Sequence, residues 1–157
     1  SILQKAKSNG LKISVDLASY NVVEDNLEFL QEMISKYVDI VFANEEEAKA
    51  FTGMEPEDAL NSLAQICETA VVKIGGEGSM IKTGDKIDIV KIDKLTPIDT
   101  TGAGDIYAAG FLYGYINNLG NKKSGEIGSL LASNVIQVIG AKISDKNWEI
   151  INPQVNN

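Results

Sequence analysis

Short apolar runs alternate with stretches of helical periodicity along most of this chain, which predicts an α/β fold. The runs at residues 38–43 and 69–74 are apolar almost throughout, as strands of a parallel sheet covered on both faces are. Residues 79–83 and 86–92 are instead two strand-like runs joined by Gly84-Asp85, which predicts a β-hairpin near the C-terminal half. The expected architecture is therefore a mostly parallel sheet flanked by helices, with a hairpin late in the chain.

Element by element, residues 2–9 read as the end of a helix stopped by Gly10, and residues 11–17 as a strand. A helix feeding straight into a strand suggests a domain entered mid-way. Val23, Leu27, Leu30, Ile34 and Tyr37 recur at helical spacing and predict an amphipathic helix over 23–37. After the strand at 38–43, Asn44 to Thr52 reads as a short helix closed by Gly53. Pro56 suits the first turn of a helix running to about Glu68. Beyond the hairpin, helices are expected at about 104–118 and 123–139, the second ended by Gly140. Their Ala, Gly and Ser content permits close helix–sheet packing. The polar tail 152–157 is expected to fray. No linker, repeat or low-complexity segment stands out.

With 157 residues the chain can bury one core, so a single domain is the expectation. Hydrophobic residues at 44% and charged residues at 23% fit a soluble globular protein. No apolar run reaches membrane-spanning length, and the first residues lack signal-peptide character. Cys67 is the only cysteine, so no internal disulfide forms and a reducing, cytoplasmic setting is expected. A net charge of −8 argues against nucleic acid and anionic membranes as partners. The absence of histidine removes Ser-His-Asp and Cys-His catalysis and makes a zinc site improbable.

The stretch Asp99-Thr100-Thr101-Gly102-Ala103-Gly104-Asp105 carries the most chemistry. Small residues open a helix, where free N–H groups and the positive dipole end favour an anion. Asp105 falls in the first turn, beside whatever anion is bound. An anion hole rimmed by a carboxylate suits phosphoryl transfer, which needs charge stabilisation and a proton acceptor.

The run DTTGAGDIYAAGFL resembles the C-terminal signature of the ribokinase family of sugar and nucleoside kinases, also called PfkB kinases. The resemblance covers nearly the whole chain and implies a ribokinase-like fold. It implies that Asp105 is the catalytic base and that the backbone of Gly102, Ala103 and Gly104 forms the anion hole for the transferred phosphoryl group. Asn44 and Glu47 match a family Asn-x-x-Glu motif that organises Mg²⁺, its waters and the nucleotide phosphates. Their spacing also suits a capping box, and both readings can hold together. Gly75 and Gly78 match a turn passing over the nucleotide, with Lys73, two residues earlier, as a nucleotide contact. A plain Gly-rich turn is the alternative. Asp99 and Thr101, with a loop around Gly140 and Ser144, match a monovalent-cation (K⁺) site of several members; a capping or turn role for Asp99 is the alternative.

Asp16 ends a strand, followed by Ser19 and Asn21, and is either near a ligand or a turn former. Cys67, on an apolar helix face, and Trp148 read as packing residues.

The implied activity is ATP-dependent phosphorylation of a hydroxyl on a sugar or nucleoside, with ATP and Mg²⁺ as cofactors. Complete family members are longer. Residues 1–157 are accordingly expected to be the C-terminal, ATP-binding portion of the kinase domain, without the N-terminal half and lid, and inactive in isolation. A homodimer is left open. The competing functions are a non-catalytic nucleotide-binding or interaction module and a dinucleotide-binding oxidoreductase. The latter needs a third glycine where Tyr107 stands.

Overall fold

The structure is a computed structural model that describes residues 1–155. It divides into two compact units: Ser1–Gly75 with Ser79–Ile89, and Gly76–Gly78 with the chain from Val90 onward.

The first unit runs α1 (Ile2–Ser8), β1 (Ser14–Asp16), α2 (Tyr20–Asp25), α3 (Leu27–Tyr37), β2 (Ile40–Asn44), α4 (Glu45–Thr52), α5 (Pro56–Leu63), β3 (Thr69–Lys73), β4 (Ser79–Thr83) and all but the last residue of β5 (Lys86–Val90). The five strands form one mixed sheet in the order β1-β2-β3-β4-β5. Strands β1, β2 and β3 are parallel, with Val15 opposite Val41 and Val41 opposite Ala70. Strand β4 runs antiparallel to β3, placing Ile81 opposite Val71. The two residues Gly84-Asp85 then return the chain into β5, a connection short enough only for a hairpin. The sheet has the expected form: parallel in its first part, with a late hairpin.

Val41, Ala43, Ala70 and Val72 pack with Ile34, Ala48, Leu60 and Leu63 in one hydrophobic core. Leu60 and Leu63 are fully buried, so truncating either to Ala costs about 2–5 kcal/mol. Pro56 sits at the first turn of α5, and Gly53, at φ 73°, closes α4, both as their residue types require.

Two helices of this unit differ from expectation. The stretch 23–37 is two helices, because the chain breaks at Asn26 (φ −131°, ψ 23°). The Asn26 side chain donates to the Val22 carbonyl at 2.9 Å, a local bond that competes with helix continuation. Helix α5 stops at Leu63, short of Glu68. The next N–H groups form tighter bonds, Gln65 to Ser62 and Ile66 to Leu63. Cys67 then lies in a turn instead of on a helix face, its thiol donating to the carbonyls of Leu63 and Thr69 at 3.2 and 3.3 Å. It packs against the core as expected, and burial pushes its thiol up to about 11.

The second unit contains α6 (Ala103–Ile116), α7 (Asn121–Val135) and α8 (Asp145–Val155). The small residues of α6 and α7 serve helix-on-helix contact. A Cβ on Gly110 would lie 2.9 Å from Gly128 Cα, and one on Gly114 would lie 2.6 Å from Ser124 Oγ. Helix α7 ends at Val135, before 139, and Gly140 (φ 84°) lies in the loop beyond. The Ile136 carbonyl accepts from Ile98 and Asp99 N–H at 2.8 and 3.3 Å, which turns the chain out of the helix. The expected frayed tail is helical through Val155; Asn156 and Asn157 lie outside the described residues. Ile151 is fully buried, and Trp148 packs with Ile127, Leu131, Val135 and Ile143, so tertiary burial holds α8. Among the described residues, no helix is long and apolar enough to cross a membrane.

Candidate functional site

In the first unit, the parallel register puts three polar residues at the carboxyl ends of neighbouring strands. Asp16 ends β1, Asn44 ends β2 and Lys73 ends β3, with Lys73 directly opposite Asn44. In open α/β sheets this is the edge where ligands bind. Asn44 is also the N-cap of α4. Its Oδ1 accepts the Glu47 N–H at 2.8 Å, and Glu47 Oε2 accepts the Asn44 N–H at 2.8 Å. The Asn44 amide donates to the other Glu47 oxygen, also at 2.8 Å. The capping box is thus complete. Glu47 is only 4% exposed, and its burial pushes the carboxyl above the usual carboxylate range, opposed by the Asn44 N–H and the nearby Lys73 charge.

Lys73 reaches Asp16, its Nζ lying 2.9 Å from Oδ2. The other Asp16 oxygen accepts the Ala18 N–H at 3.1 Å, and Ala18 occupies the left-handed region at φ 64°. Asp16 is therefore a turn former, and also the partner of Lys73. The residues alone did not reveal that pairing. Its only signal was that parallel strands bring their carboxyl ends to one edge. Ser19 precedes α2 as its N-cap with no side-chain capping bond. Gly75, at φ 50°, follows β3, and a Cβ there would meet Glu45 Oε2 only at 3.6 Å.

In the second unit, Gly78 has φ 108°, and a Cβ on it would fall 1.9 Å from the Val90 carbonyl oxygen, so only glycine fits. The Asp99–Asp105 motif forms the entry to α6. Gly102 is the N-cap at φ 76°. A Cβ on it would lie 2.5 Å from Ala141 Cβ. The Ala103 N–H bonds Thr100 O at 3.2 Å, and Ile106 N–H bonds Gly102 O at 3.0 Å. The amides of Gly104 and Asp105 belong to the first-turn N–H groups that an α-helix leaves without an intrahelical acceptor. Asp105 is exposed in that first turn. Donors, dipole and carboxylate together can stabilise an anion and accept a proton next to it.

Asp99 binds two segments. Its Oδ1 accepts the Thr101 N–H at 2.9 Å and its Oδ2 the Gly140 N–H at 2.8 Å. These donors hold the Asp99 carboxyl below the usual carboxylate range. Asp99, Thr101 and Gly140 thus come together. Ser144 instead caps α8, its Oγ accepting the Asn147 N–H at 3.2 Å.

Among the described residues, no cluster of three or more His, Cys, Asp or Glu side chains could hold a metal ion. The chemistry of Asn44 and Glu47 fits Mg²⁺ that keeps its waters and takes its other ligands from phosphates, since such an ion needs only one or two protein carboxylates.

A glycine-led helix start with an acid in its first turn is an arrangement that suits phosphoryl transfer. Residues 2–148 match the pfkB family carbohydrate kinase profile. The chain belongs to the pfkB family of carbohydrate kinases. It is 33% identical over 141 residues to a nucleoside kinase of Methanocaldococcus jannaschii, covering 85% of this chain and 45% of that protein. A probable sugar kinase of Rhizobium etli superposes with a TM-score of 0.90 at 32% identity, over 97% of this chain and 47% of that one. Adenosine kinase from Sinorhizobium meliloti superposes with a TM-score of 0.84 at 36% identity, over 89% of this chain and 44% of that one. The chain therefore spans a little under half the length of these relatives.

Proposed function

We propose that this chain carries the nucleotide side of an ATP-dependent kinase that phosphorylates a hydroxyl of a sugar or nucleoside in the cytoplasm. The observation that carries this reading is the position of Asp105, third in α6, in the first turn behind the left-handed Gly102. The named activities of its sugar- and nucleoside-kinase relatives support it.

In this reading the acceptor hydroxyl attacks the γ-phosphorus of ATP. Its proton passes to the Asp105 carboxylate. The bond from the γ-phosphorus to the bridging oxygen breaks, and ADP leaves. The amides of Gly102 and Gly104 stabilise charge on the transferred group, while the Ala103 N–H, expected to join them, is taken by the Thr100 carbonyl. Asn44 and Glu47 would hold Mg²⁺, which when bound would supply neutralisation of the phosphate charge. Lys73, Gly75 and Gly78 border the nucleotide. Asp99 fixes the helix entry, with Thr101 and the Gly140 loop as the frame for a monovalent cation (K⁺). Acceptor-binding residues and the lid belong to the part of the relatives that this chain does not span.

The test is ATP consumption, measured for the full-length protein and for residues 1–157 alone, against a panel of sugars and nucleosides. The expected result is acceptor-dependent ADP formation by the full-length protein and none at a useful rate by residues 1–157. Robust turnover by residues 1–157 overturns the division of labour. No turnover by either, with any acceptor, overturns the activity.

A further inference from the structure

Strands β1 and β3 are not neighbours, because β2 lies between them. The Lys73 side chain nevertheless bonds Asp16 at 2.9 Å, so it must cross the end of β2, where Asn44 caps α4. The pair is largely sheltered, with side-chain exposures of 15% for Lys73 and 23% for Asp16. A sheltered ion pair is screened less than a surface one. Asp16 is itself fixed, since its second oxygen holds the Ala18 N–H in a turn that an alanine rarely adopts. A lysine has a flexible four-carbon stem and three N–H donors. One donor engages Asp16 and two remain for another acceptor.

We propose that Asp16 is a positioning residue that holds the Lys73 ammonium across the end of β2, set to receive phosphate oxygens of the nucleotide. This rests on the reading that Lys73 borders the nucleotide. Without the Asp16 charge, the Lys73 stem regains its rotamers, and nucleotide binding must order it again. Asp16 touches no nucleotide in this scheme and acts through Lys73. The Ala18 strain fits the same role, because an αL alanine persists only where its surroundings fix it.

The test is a double-mutant cycle on the full-length protein, read as Mg·ATP affinity by titration calorimetry, with thermal melting of each variant. Asp16→Asn keeps an oxygen for the Ala18 N–H and removes the charge. Its expected Kd for Mg·ATP rises on the order of tenfold, the scale of a lost charge-assisted hydrogen bond. Lys73→Met weakens binding at least as much, and Asp16→Asn adds nothing in the Lys73→Met background. Should Asp16→Asn fail to fold, Asp16→Ser makes the same cycle, since its hydroxyl can also hold the turn. Additive effects, or unchanged affinity in the Asp16 variant while Lys73→Met weakens binding, overturn the positioning role and leave the nucleotide reading standing. Unchanged affinity in Lys73→Met overturns that reading, and the positioning role with it. A merely structural Asp16 lowers the melting temperature in both backgrounds and leaves the cycle additive.

Discussion

Asp99 and Gly140 are joined by a hydrogen bond of 2.8 Å, across 41 residues of sequence, from the Gly140 N–H to Asp99 Oδ2. The same carboxylate takes the Thr101 N–H, so one side chain ties the entry of α6 to the loop after α7. The backbone that enters α6 is thereby anchored from both directions.

The Asp99 bonds make stability acid-sensitive. Its folded carboxyl titrates below the usual range, so its contribution is present above the unfolded-state value and is lost as pH falls through the folded one. Thermal melting from neutral pH to about pH 3 should show a steeper acid-side loss for the parent than for Asp99→Ala. Parallel profiles would remove Asp99 from this linkage.

Gly102→Ala should destabilise twice over, through its φ of 76° and through a Cβ 2.5 Å from that of Ala141. The backbone part alone is about 1–2 kcal/mol. Adding Ala141→Gly should recover the steric part and leave the backbone part. Urea unfolding of both variants measures each share, and equal stability of the two would refute the contact.

Glu47→Gln should keep α4, because the glutamine oxygen can still accept the Asn44 N–H of the capping box, although the bond from the Asn44 side-chain amide is lost. Removing a buried carboxyl that resists ionisation offsets part of that lost bond, so the melting temperature at pH 7 should change little. Nucleotide binding should lose its Mg²⁺ dependence in the same variant. An undiminished Mg²⁺ dependence would reduce Glu47 to its capping role.

The local devices were readable in the residues: the Asn44–Glu47 spacing, Gly53 after α4, Pro56 at the start of α5, and the small residues that open α6. Each acts within a few residues, so sequence order carries it. The misread elements depend on distant partners. Helix α7 ends early because the Ile136 carbonyl is taken by Ile98 and Asp99, and α8 exists because Ile151 is buried against a core built elsewhere. The sequence marks Asp16 but not its partner, since Lys73 lies 57 residues away. The break at Asn26 was local, yet the apolar period ran through it, and periodicity outweighed a single side-chain bond.

The most direct measurement of the central claim is the turnover of Asp105→Asn in the full-length protein, with Mg·ATP affinity measured alongside. Loss of a general base lowers kcat by about 10²-fold or more, and an exposed first-turn side chain should leave the fold and nucleotide affinity intact. That combination is the expected result. A variant that folds, binds Mg·ATP and retains more than about half of the parent kcat would contradict the claim that Asp105 accepts the proton in phosphoryl transfer.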